Sequence, residues 1–154
     1  MHKILIVYFS RHGSVARMAE QLSLGVDSNQ ACEAVVRCLP TVALSTEPAE
    51  EAVPESGVPY ASLSDLETCS GLIVGSPGYF GNMSAAVKYF FDQTSALWLS
   101  GELIGKPGGV FTATSSMHGG QETVLTSMML PLLHHGMLVT GIPYSEPALN
   151  QTSS

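Results

Sequence analysis

The sequence predicts an α/β protein built on a doubly wound sheet of five parallel strands. Three observations carry this reading. The apolar runs Ile4 to Phe9, Leu72 to Val74 and Val110 to Phe111 do not alternate with polar residues, which is the pattern of strands covered on both faces. Each run empties into a loop of Ser, Thr, Gly and Asn that opens a helix. The order βαβ(α)βαβαβ then calls for right-handed crossovers with helices on both faces of the sheet.

Taken in order, Lys3 to Phe9 is the first strand, and Ser14 to Leu24 follows as a helix with Val15, Met18, Ala19 and Leu22 on one side. Gly25 is expected to close that helix. Ala31 to Leu39 reads as a strand stopped by Pro40, because Ala34, Val35 and Val36 are compact and β-leaning. Thr41 to Tyr60 is an acidic, proline-containing loop whose Glu47, Glu50, Glu51 and Glu55 read as a solvated surface. A short helix at Asp65 to Thr68 precedes the strand Gly71 to Gly75, and Ser76-Pro77 is expected to bend the chain. A helix starting near Met83 carries Ala86, Val87, Phe90 and Phe91. The stretch Ser95 to Pro107 is too long for a minimal connector and holds the only tryptophan, Trp98. Gly109 to Thr112 is the fourth strand. The helix after Gly120 presents Val124, Leu125, Met128, Met129, Leu132 and Leu133, and Pro131 is expected to kink it or end it early. Met137 to Thr140 is the fifth strand. A five-stranded sheet of this kind wants a further helix after it, and Gly141 to Ser154 reads instead as a short polar tail with the final helix missing.

Composition narrows the function. A chain of 154 residues with 45% hydrophobic side chains can bury one substantial core, so residues 1–154 read as one domain. Only 12% of residues are charged and the net charge is -7, which argues against a nucleic-acid groove. The six bases are scattered, so no polybasic patch addresses a membrane, and no apolar run approaches a membrane span. A cytoplasmic protein is the expectation. Cys32, Cys38 and Cys69 show no C-x-x-C spacing, so neither a disulfide framework nor a metal site is expected.

Loops that follow parallel strands converge at one sheet edge, where open α/β proteins hold ligands. Ser10-Arg11-His12-Gly13-Ser14-Val15 brings hydroxyls and backbone N–H groups to a helix N-terminus, which suits a monophosphate and matches no dinucleotide or P-loop fingerprint. Pro77-Gly78-Tyr79-Phe80-Gly81 brings aromatic rings and flexible backbone against which a flat ring could lie. Thr114-Ser115-Ser116-Met117-His118-Gly119 offers donors to a polyol chain or to a ring's heteroatoms. Each loop alone is equally an ordinary cap or turn. Together they describe a phosphate, a polyol and a flat heterocycle.

These residues carry a resemblance. S-R-H-G-S-V after the first strand resembles the flavodoxin fold, and G-S-P-x-x-F-G-N-M, D-Q-T-x-x-L-W, H-G-G-Q-E-T, L-L-H-H-G-M and G-I-P-Y-S-E-P resemble the WrbA family of flavodoxin-like NAD(P)H:quinone oxidoreductases. The resemblance runs from residue 1 to about 150. It implies FMN as cofactor, with Ser10 to Val15 at its phosphate, Pro77 to Gly81 at the isoalloxazine and Thr114 to Gly119 at the ribityl chain and ring edge. It implies that NADH or NADPH and a quinone alternate over one ring face in ping-pong fashion, beside His12, Trp98 and Tyr144. His134 would be the catalytic group, approaching the flavin from a neighbouring subunit of a homotetramer or dimer. The family usually has P-T-R-F-G where this chain has Pro77-Gly78-Tyr79-Phe80-Gly81, so an arginine expected beside the flavin is replaced. The rival readings are a one-electron carrier of the flavodoxin type and a non-enzymatic regulatory or scaffold protein.

Overall fold

The computed structural model describes residues 1–42 and 57–150, and the four glutamates of the acidic loop lie outside them. Five strands, β1 (His2–Tyr8), β2 (Cys32–Cys38), β3 (Gly71–Pro77), β4 (Pro107–Ala113) and β5 (Leu138–Val139), form one sheet in the order β2-β1-β3-β4-β5. All pairings are parallel, with Ile6 opposite Val36 on one side and Ile73 on the other. The doubly wound α/β architecture expected from the sequence is the one observed.

The helices are α1 (Ser14–Asp27), α2 (Leu63–Thr68), α3 (Ala85–Asp92), α4 (Ser95–Ser100) and α5 (Gln121–His134). Alternation along β1 sends side chains to two separate cores. Leu5 and Val7 join Leu66, Leu72, Val74, Val87, Phe90, Val124, Met128 and Leu132 beneath α2, α3 and α5. Ile6 and Tyr8 join Val15, Ala19, Cys38 and Phe111 beneath α1. Each fully buried aliphatic side chain stabilises the fold by roughly 1.5–3 kcal/mol, so β1 anchors both layers.

Local chemistry explains where the elements differ from expectation. Helix α1 runs through Gly25 to Asp27, because Ser28 N–H reaches Leu24 O at 3.0 Å and continues the ladder. Strand β3 does not bend at Ser76-Pro77 but pairs out to Pro77 opposite Ala113. Ser76 is fully buried there; its hydroxyl donates to Pro77 O at 2.9 Å and accepts from Ser84 N at 2.8 Å. Helix α3 starts at Ala85 rather than Met83, since Ser84 is its N-cap and Met83 N–H is held by Asn82 Oδ1 and Ser127 Oγ, both at 2.9 Å. The stretch after Thr94 contains α4, which apolar periodicity over six residues is too short to announce. Pro131 does not end α5 early: it lies inside the helix, and His135 N–H donates to Pro131 O at 3.0 Å. Strand β5 is two residues long and pairs in register with Pro107 and Gly108 of β4.

Helix α2 is fixed by a capping box between Ser62 and Asp65, and Arg37 of β2 pairs with Asp65 at 3.1 Å. Burial pushes the Asp65 carboxyl up, but the Ser62 hydroxyl, the Ser62 N–H and Arg37 overcome this and hold it below the ordinary value of 3.8. Cys38 and Cys69 are buried, and burial raises both thiols above their ordinary range. Among the described residues no helix is long and apolar enough to cross a membrane.

Candidate active site

Because β1, β3 and β4 run parallel in adjacent positions, their C-terminal ends deliver three loops to one edge of the sheet. The loops enclose a cavity of about 520 Å³. The first contributes Ser10, Arg11, His12, Ser14 and Val15, the second Pro77, Gly78 and Tyr79, and the third Thr114 and Ser115 beside Ala113. Residues chosen from three separate stretches of sequence thus line a single space.

In the first loop, Gly13 takes φ +84°, a left-handed conformation that glycine adopts without strain, and so turns the chain into α1. Ser10 Oγ accepts from Gly13 N at 3.1 Å and from Ala16 N at 3.3 Å, occupying two of the donors. The Ser14 and Val15 N–H groups meet no acceptor among the described residues, as first-turn amides of a helix do. They point a partial positive charge toward the cavity mouth. Arg17, one turn into α1, folds back so that Nη1 would lie 3.4 Å from a Cβ at Gly13. Sequence reasoning passed over Arg17. The signal was a cation in a first turn that holds no acidic residue, where the helix dipole disfavours it unless an anion binds.

The second loop is a two-residue hairpin. Tyr79 and Asn82 exchange N–H···O bonds of 3.0 Å each way, and the turn between them is Phe80 with φ +51° and Gly81 with φ +75°. Two positive φ values make a type I′ turn, which holds the exposed Phe80 ring in a conformation that costs a non-glycine residue about 1 kcal/mol. Gly78 N–H donates to Ala113 O at 3.2 Å, bringing the second loop against the third.

In the third loop, Thr114 Oγ1 donates to Ser116 O at 2.8 Å. Gln121, the first residue of α5, reaches back with Nε2 to Thr114 Oγ1, Ser116 O and Met117 O. Ser116, Met117, His118 and Gly119 complete the loop without lining the cavity, and Met117 is exposed. Phe80 and Gly81 likewise flank the cavity without lining it.

His134 and Trp98 line a different cavity, about 780 Å³, between α3, α4 and α5. Trp98 Nε1 donates to His134 O at 2.9 Å, so the indole is tied to the end of α5. Beside it, Thr94 Oγ1 lies 2.8 Å from His135 Nε2 and donates its own proton to Phe91 O at 2.7 Å. The imidazole proton therefore sits on Nε2, and the buried Nδ1 is left without a partner among the described residues. Burial, and next the neighbouring His134, lower the His135 pKa below 6.5. Tyr144 lies beyond β5, exposed, and lines neither cavity. Among the described residues, no group of three or more His, Cys, Asp or Glu side chains is placed to hold a metal.

The donor set of the three-loop cavity is neutral apart from Arg11: hydroxyls, free amides and an aromatic wall. Such a set fits a phosphate-bearing polyol with a flat ring far better than a bare anion or a peptide. A family model described as NADPH-dependent FMN reductase matches residues 3–146 of this chain. The chain belongs to the NADPH-dependent FMN reductase family. This family member is 42% identical over 155 residues to a protein of Trichlorobacter lovleyi named NAD(P)H dehydrogenase (quinone), covering 97% of this chain and 76% of that protein. A protein of the same name from Solidesulfovibrio magneticus is 43% identical over 150 residues, covering 92% and 72%. The crystal structure of a flavodoxin, WrbA-like protein from Agrobacterium tumefaciens superposes on this FMN reductase family chain with a TM-score of 0.71. Its identity is 27%, with 94% of this chain and 80% of that chain covered. An archaeal flavodoxin at 21% identity and a TM-score of 0.65 shares the fold.

Proposed function

We propose that this protein reduces quinones by two electrons at the expense of NADH or NADPH, with FMN as its cofactor, and that it falls in the WrbA branch of its family. The convergence of the three loops on one cavity of about 520 Å³ carries the reading. The names of its relatives agree with it.

In this reading FMN, when bound, supplies a ring that accepts and returns a hydride equivalent, chemistry that no side chain here provides. The residues do the rest. Ser14 and Val15 N–H groups, with Arg11 and His12 beside them, bind the phosphate; Ser10 caps the helix and holds Gly13 in place. Pro77, Gly78 and Tyr79 bound the ring, and Thr114 and Ser115 meet the polyol. The hairpin tip, Phe80-Gly81, and the Ser116 to Gly119 stretch border the same edge. His134 and Trp98 do not reach this cavity within one chain, which is what a site completed by a second copy requires. We therefore place His134, Trp98 and Tyr144 over the cavity of a neighbouring subunit in a homotetramer or dimer in the cytoplasm, where His134 holds or passes a proton.

Titration of the purified chain with FMN, followed by flavin fluorescence, tests the reading. NADH, NADPH and benzoquinone are then added. Binding with turnover and parallel double-reciprocal plots establish the shared site. Binding without turnover makes the protein an electron carrier, and no binding overturns the reading.

A further inference from the structure

The third site loop has a feature that neither its sequence motif nor the family match assigns. Gln121 Nε2 lies 2.7 Å from Thr114 Oγ1, 3.0 Å from Ser116 O and 3.1 Å from Met117 O. Two carbonyls and one hydroxyl surround one amide nitrogen. The hydroxyl proton is already committed to Ser116 O at 2.8 Å, so Thr114 Oγ1 is an acceptor toward Gln121. All three neighbours accept, and only a donor with at least two protons satisfies them; an amide or an ammonium does, a carboxylate does not.

The clasp also reaches the second loop. A Cβ at Gly78 would meet Thr114 Cγ2 at 2.8 Å, so the Thr114 methyl rests directly on the Gly78 backbone. Fixing the Thr114 rotamer therefore fixes the spacing of two of the three loops that line the cavity. We infer that Gln121 is a positioning residue, whose side-chain N–H groups lock the 114–117 backbone and the Thr114 hydroxyl into the shape that receives the cofactor's polyol and ring edge. This rests on the FMN reading above, although the loop ordering does not.

Gln121 is the first residue of α5, where a carboxylate is favoured by the helix dipole. Gln121→Glu consequently leaves α5 intact and turns the clasp into a repulsion. Gln121→Lys keeps a multiple donor on a flexible side chain one bond longer. Two measurements decide the matter. In the cofactor-free protein, backbone amide order parameters at residues 115–119 should fall in Gln121→Glu and stay near the wild-type values in Gln121→Lys. In FMN titrations, Gln121→Glu should bind about tenfold or more weakly, and Gln121→Lys within about threefold of wild type. If Gln121→Glu does not fold, Gln121→Met, which removes the donors without adding charge, carries the same expectation. Wild-type loop order and affinity in the donor-free variant overturn the inference, as does an equal loss in Gln121→Lys. Failure of the wild-type chain to bind FMN overturns the functional reading instead, and leaves the loop-order result standing as the test of the clasp.

Discussion

Single residues set how closely the layers of this protein approach. A Cβ built on Gly75 would lie 2.1 Å from Phe111 Cζ, so the ring of β4 occupies the space a side chain on β3 would need. Gly75→Ala should destabilise the fold by about 1–3 kcal/mol in urea unfolding, and Phe111→Leu in the same chain should recover part of the loss. At the functional end, His134→Ala should lower kcat by about tenfold or more with FMN affinity unchanged, as steady-state kinetics and flavin titration would show. The candidate site was legible at this scale where composition speaks. Hydroxyls, glycines and aromatics after strands pointed to Ser10 to Val15, Pro77 to Tyr79 and Thr114 to Ser115. Gln121 and Arg17 were not legible, because their placement depends on side chains folding back over a loop, and no spacing rule encodes that.

At the scale of elements, continuous apolar runs located β1, β3 and β4, and the order of helices followed from their faces. The errors lay where backbone groups find partners outside the local sequence. Ser76 keeps β3 straight through Pro77 by bonding Ser84 N, eight residues away. Helix α5 absorbs Pro131 because the helix is held on the sheet by the buried Val124, Met128 and Leu132, so the missing amide is tolerated rather than decisive. Pro131→Ala restores a donor toward the preceding turn and should raise stability by about 1–3 kcal/mol, measured by denaturant unfolding at constant slope.

For the whole molecule, stability should respond to acid in two separate windows. His135 is held below 6.5 when folded, so between its folded and unfolded values the unfolded chain binds more protons, and stability falls as pH drops beneath 6.5. Asp65 is held below 3.8, so its contribution is intact above that value and is lost only as pH falls through its lower folded value. Thermal midpoints between pH 7.5 and 5.5 should fall less steeply in His135→Gln, which removes the titrating ring and can still donate to Thr94. Arg37→Met should flatten only the acid limb. The strand order β2-β1-β3-β4-β5 has one further consequence, and it concerns time. The interior strand β1 gains β2 soon after it is made, but its other edge must wait for β3, more than thirty residues beyond Cys38. At a synthesis rate of about 5–20 residues per second, a hydrophobic strand edge stays open for roughly two to seven seconds on each new chain. During that interval the growing polypeptide is a natural client for whatever shields nascent chains at the ribosome.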